Sequence, residues 1–138
     1  MADIQIQTKS NHLYIPPVLS LIENYARSKN FNEGDIKKIS IATEEAITNV
    51  IKHSYHGKKD KILLVELDFV DESLSINIKH KGDKFSLSED EIKVDIDKIL
   101  KEKRKGGFGL YIIKKFTDYL EIGEKGEWSY YLLKKKRK

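Results

Sequence analysis

The chain has 138 residues, 39% of them hydrophobic and 35% charged, enough for one domain that buries roughly two-thirds of its unfolded surface and too few for two. No apolar run approaches the ~18–20 residues that cross a bilayer, and the polar opening MADIQIQTKS does not read as a signal peptide, so a cytoplasmic protein with no membrane partner is expected. The absence of cysteine excludes disulfides, thiolate zinc sites and cysteine nucleophiles. The formal charge is +4, but Lys134, Lys135, Lys136, Arg137 and Lys138 carry +5 of it and the rest of the chain −1. Only Arg27, Arg104 and Arg137 supply the forked donor that reads base edges, so direct nucleic-acid binding is not expected, and the basic run 134–138 reads as a solvated tail.

Ile4 to Thr8 alternate apolar and polar as a strand does. After the break at Ile15-Pro16-Pro17, the spacing of Val18, Leu21, Ile22, Tyr25 and Ala26 predicts an amphipathic helix ending near Lys29-Asn30. A second helix is predicted from about Glu33 to Tyr55, with Ile36, Ile39, Ala46 and Val50 on its apolar face and His56-Gly57 as its stop. Ile62 to Val70 and Ser73 to Lys79 read as a hairpin around Asp71-Glu72, and strand character ends at Gly82. From Ser86 to Lys105 the composition is charged, with Ile92, Ile96 and Ile99 at helical steps, which suggests an amphipathic lid. A helix over Leu110 to Tyr119 and a closing hairpin, Tyr119 to Ile122 with Glu127 to Leu133, complete the order. No internal repeat is present. Strand, two helices, two strands, lid, helix and two strands fit an α+β two-layer sandwich, a mainly antiparallel sheet with helices on one face.

Two groups of residues carry chemical potential. Glu45, Asn49 and His53 recur every four residues and form one polar stripe on the second helix, a pattern that solvated faces also show. Lys105-Gly106-Gly107-Phe108-Gly109-Leu110 opens a helix with three glycines in four residues, where the backbone can approach a ligand and aim free N–H groups at an anion such as phosphate. It is neither a Walker loop nor a full dinucleotide fingerprint.

Taken in order, Ala42-Thr43-Glu44-Glu45-Ala46-Ile47-Thr48-Asn49 with His53, then Ile78-Lys79-His80-Lys81-Gly82, then Gly106-Gly107-Phe108-Gly109-Leu110 resemble the three nucleotide-binding boxes of the Bergerat-fold (histidine kinase-like) ATPases. The form of the first box and the ending Gly109-Leu110-Tyr111-Ile112-Ile113-Lys114-Lys115-Phe116-Thr117-Asp118 most resemble the bacterial anti-sigma factor serine/threonine kinases. The resemblance covers about Tyr14 to Lys134. It implies an ATP- and Mg²⁺-dependent kinase in which Glu45 is the general base, Asn49 the Mg²⁺ ligand, and Gly106 to Gly109 the phosphate cradle flanked by Lys105 and Leu110. His53, His80 and Gly82 fall in the nucleotide-binding boxes. The implied partners are an anti-anti-sigma protein that accepts the phosphate, a sigma factor that is sequestered, and a second copy of the kinase.

The chain departs from that pattern twice. His80 stands where the middle box carries an aspartate that accepts from the adenine amino group, and Gly126 is followed by Glu127 where the last strand often carries threonine. His80 therefore also fits a partner-binding module of the same fold with weak or no nucleotide binding. His12 and His56 read as solvated, and Trp128, Tyr130 and Tyr131 as core or interface packing. His53 serves the family box or the dipole at the helix end equally well.

Overall fold

The computed structural model describes residues 1–83 and 105–138, so the lid expected between Ser86 and Lys105 lies outside the described residues except for Lys105 itself. Five strands form one sheet: β1 (Ile4–Lys9), β2 (Ile62–Val70), β3 (Ser73–His80), β4 (Tyr119–Lys125) and β5 (Trp128–Lys136). Their spatial order is β1-β2-β3-β5-β4, with every neighbouring pair antiparallel. The helices α1 (Ile15–Ser28), α2 (Glu33–Asn49) and α3 (Lys105–Phe116) contribute the other half of the core, which gives the expected α+β architecture.

Alternation along the strands divides the sheet into an inner and an outer face. Leu63, Val65 and Leu67 of β2, Leu74, Ile76 and Ile78 of β3, and Tyr131 and Leu133 of β5 are buried. Opposite them lie Ile15, Val18, Ile22 and Ala26 of α1, Ile36, Ile39, Ala42 and Ala46 of α2, and Leu110 and Ile113 of α3. Each fully buried isoleucine here stabilises the fold by about 1.5–3 kcal/mol relative to exposure. Leu21, expected on the apolar face of α1, is 38% exposed and lies at the margin of that stripe.

Helix ends follow local chemistry. The prolines of α1 sit in its first turn, where their missing donors are not needed. At its far end Asn30 adopts φ 65°, its N–H donates to Arg27 O and that of Phe31 to Ala26 O, and buried Phe31 seals this left-handed cap. Asn32 caps α2 by accepting the Asp35 N–H at 2.8 Å. The predicted helix from Glu33 to Tyr55 is in fact two pieces. It is α-helical to Asn49 and continues as a π turn, Val50–Ser54, with Tyr55 N–H donating to Val50 O at 2.9 Å.

Two expectations at the other end of the chain need correction. The last helix was expected over Leu110 to Tyr119 and runs Lys105–Phe116. It stops because the Asp118 N–H turns to Lys134 O at 2.9 Å and the Asp118 carboxylate accepts the Lys136 N–H at 2.7 Å, which starts β4. The basic run is not a solvated tail. Lys134 to Lys136 are strand residues because β3 continues opposite them, Leu74 pairing with Lys135, which is buried. Beyond them Arg137 donates to Lys29 O at 2.9 Å, bonds the Glu72 carboxylate and lies over the Phe69 ring. Its N–H also donates to Glu72 O. Glu72 and Asp71 form the two-residue β2–β3 turn with φ 63° and 52°, a strained conformation for side-chain-bearing residues that these bonds hold.

Candidate functional site

One part of the candidate site forms where α2 and α3 pack together. Small residues let the two helices approach: Ala42 and Ala46 are fully buried, and Gly109 sets its backbone against side chains of α2. A Cβ on Gly109 would stand 2.9 Å from Glu45 Oε2 and 3.4 Å from Asn49 Oδ1. The last glycine of the glycine run, the expected base and the expected metal ligand therefore meet in one place. Glu45 is half-buried, and its pKa is raised by that burial first and by neighbouring Glu44 second, with Lys52 opposing. A carboxylate shifted this way is a better proton acceptor near neutral pH.

Asn49 is 6% exposed, yet its Nδ2 has no hydrogen-bond partner among the described residues. An orphaned buried amide costs stability unless a ligand or water satisfies it. It suits a nucleotide–metal complex, with the amide oxygen on Mg²⁺ and the amide N–H groups toward phosphate oxygens. Among the described residues no cluster of three His, Cys, Asp or Glu could hold a metal alone, so a cation here would share its ligands with bound phosphate.

The other expected residues are placed as follows. His53 lies on the π turn and is exposed, because the wider turn after Asn49 breaks the four-residue stripe that began at Glu45. Lys105, Gly106, Gly107 and Phe108 are described by their helical backbone alone. Leu110 turns into the core and is 2% exposed.

In the other part of the candidate site, His80 closes β3 and is 1% exposed. The ring stands edge-on to Tyr55 at 5.8 Å and 6.4 Å from Tyr131, and its Nδ1 accepts the Gly82 N–H at 3.2 Å. Burial pushes its pKa down to about 4, so it is neutral at physiological pH. Gly82 lies directly on the π turn. A Cβ there would fall 2.4 Å from Ser54 O, the same oxygen that accepts the Asp83 N–H at 2.9 Å. The Lys81 N–H donates to Tyr55 Oη at 2.7 Å. The chain after β3 is thus fastened to the π turn by one backbone bond and one bond to the Tyr55 hydroxyl, with Gly82 allowing the close approach. Beside this junction Lys58, Lys61, Lys81 and Asp83 line a pocket of about 370 Å³, where Lys81 is paired with Glu127 at 3.2 Å.

Two polar residues, Ser129 and Ser54, were not singled out in the sequence, and Tyr131, read there as packing, is buried. Ser129 pairs with His80 across β5 and is buried on the same face of the sheet, supplying a hydroxyl two residues beyond Glu127. Ser54 Oγ and Tyr131 Oη are buried without partners among the described residues. The two-residue turn at Gly126-Glu127, with Ser129, Tyr131 and Leu133 alternating after it, was the signal for the β5 pair. The π turn that buries Ser54 left none.

The histidine kinase-like ATPase domain matches residues 8–129. The serine-protein kinase RsbW of Staphylococcus aureus (strain MRSA252) is 32% identical over 92 residues, 64% of this chain and 58% of that protein. RsbW of Listeria monocytogenes is 25% identical over 122 residues, 86% of this chain and 78% of that protein. The chain thus spans a little over half the length of its staphylococcal relatives. The SiaB–SiaC complex from Pseudomonas aeruginosa contains a chain of the same fold, with a TM-score of 0.65 at 11% identity, covering 97% of this chain and 88% of that one. No helix among the described residues is long and apolar enough to cross a membrane. Motifs, fold and the meeting of Glu45, Asn49 and Gly109 converge: the chain belongs to the histidine kinase-like ATPase domain family, with RsbW serine-protein kinases among its relatives.

Proposed function

We propose that this protein is an anti-sigma factor kinase, which transfers the terminal phosphoryl group of a nucleoside triphosphate, ATP in the family at large, to a serine or threonine of an anti-anti-sigma partner. The observation that carries this reading is the contact of Gly109 with Glu45 and Asn49, because it gathers a base, a metal ligand and the phosphate-binding backbone. Glu45 takes the proton of the attacking hydroxyl, and its raised pKa suits that task. Asn49 holds Mg²⁺ through its amide oxygen, and the backbone of Gly106 to Gly109 receives phosphate oxygens. Bound Mg²⁺ supplies positive charge against the phosphate oxygens during transfer. In this reading the protein acts in the cytoplasm of a bacterium as a homodimer that sequesters a sigma factor, with phosphorylation of the partner deciding which protein it holds.

The test is transfer of labelled phosphate to a purified anti-anti-sigma protein with Mg²⁺, and its loss on chelation. Transfer at an equal rate without a divalent cation would overturn the role of Asn49. One observation favours a second reading: His80 removes the carboxylate acceptor of the base site, as expected of a partner-binding module without transfer. That module would form the partner complex and give no titration heat with any nucleotide at millimolar concentration.

A further inference from the structure

The Gly82 N–H donates to His80 Nδ1, and a ring nitrogen that accepts carries no proton. The neutral ring therefore holds its proton on Nε2. Wedged between Tyr55 and Tyr131 and almost without exposure, it stays neutral because burial disfavours its charged form. Toward a ligand, it offers a donor and nothing else. Ser129 lies opposite His80 in the sheet and Tyr131 packs beside its ring, and both carry hydroxyls. A hydroxyl rotates to donate or accept as needed, whereas the polarity of this imidazole is fixed by the Gly82 bond. His80 is thus the group here whose hydrogen-bonding polarity is fixed.

Purines differ in that respect at position six, where adenine carries an amino donor and guanine an oxygen acceptor. A donor set against the amine leaves both without an acceptor, and set against the oxygen it makes a hydrogen bond. We propose that the base site prefers a 6-oxopurine nucleotide, GTP over ATP, with His80 Nε2 as the specificity-determining donor. This rests on the reading above, in which the nucleotide base lies at His80. A mismatched polar contact in a dry site separates two ligands by about ten- to a hundredfold in affinity.

Calorimetric titration of the chain with the Mg²⁺ complexes of GTP, ITP and ATP near neutral pH tests the proposal. ITP keeps the oxygen at position six and lacks the 2-amino group, so GTP and ITP should both bind at least about tenfold more tightly than ATP. His80→Asp, which replaces the donor by an acceptor, should reverse the order. ATP binding as tightly as GTP overturns the preference and leaves the kinase reading intact. Heat from none of the three overturns the kinase reading and the preference with it. If His80→Asp does not fold, the wild-type order decides, and ITP binding like ATP overturns the assignment to position six.

Discussion

Beside α3, Glu45 and Asn49 are held by the packing of one helix on another, whereas at the end of β3 His80 is held by strand register and a single backbone hydrogen bond. The first arrangement leaves a half-buried carboxylate and an amide with an unsatisfied donor, groups that a phosphate–metal complex would complete. The second buries a neutral ring and leaves hydroxyls around it. In the proposed reading, charge-handling chemistry belongs to the first arrangement and base selectivity to the second. The two can change independently in a sequence, because different elements hold them.

The sharpest way to break that separation is Glu45→Gln, which keeps the side-chain shape and removes the base. Phosphoryl transfer should fall by about 10²–10⁴ while nucleotide affinity stays near wild type, as read by transfer kinetics beside calorimetry. Transfer at the wild-type rate would show that the base is elsewhere.

The two arrangements should also titrate in opposite senses. His80 falls from its ordinary value of 6.5 to about 4 on folding, so between those values the unfolded chain binds a proton that the folded chain refuses. Its contribution is complete above about pH 6.5 and is lost as pH drops toward 4, a total of about 3 kcal/mol at ~1.4 kcal/mol per unit. Glu45, raised by burial, acts the other way, its unfavourable contribution being relieved as pH falls through its folded pKa. Urea denaturation of wild type and His80→Gln across this range checks the point: the variant should lose most of the acid-side slope.

Gly82→Ala tests whether the arrangement at His80 depends on the close approach to Ser54 O. Since backbone rather than a flexible side chain stands in the way, the added methyl should cost about 1–3 kcal/mol in chemical denaturation and weaken base discrimination more than phosphate binding. A smaller and more general effect is expected of Arg137→Ala, which releases Lys29 O and Glu72. Stability should drop by about 1–2 kcal/mol, with nucleotide affinity of the folded protein unchanged. Equal stability of the variant would return Arg137 to the status of a solvated tail residue.

Much of the fold could be read directly because its signals are local. The alternation from Ile62 to His80 and the cap at Asn30 need no knowledge of distant residues. Glu45 and Asn49 were legible for a related reason, one α-helical turn apart in a motif of recognisable form. What failed depended on a partner distant in sequence. Lys135 is a strand residue because Leu74 lies opposite it, and composition alone made it a tail. Ser129 faces His80 only once the β3–β5 register is known, and Gly109 shows its role only against the side chains of α2. His53 left the predicted stripe because one turn is wound as π, and nothing in Val50 to Ser54 announces that winding.

The strand order has a consequence for synthesis. β5 is made after every other described strand, yet it lies inside the sheet between β3 and β4. Until it arrives, the edge of β3 bearing Ile76 and Ile78 has no neighbour, and β4 has nothing to pair with. Roughly fifty residues separate His80 from Trp128, which at ~5–20 residues per second leaves that edge open for about 2–10 s. A nascent chain stalled before Trp128 would present an unpaired apolar strand edge, the kind of template to which other chains add. Ribosome pausing in this interval should therefore raise aggregation.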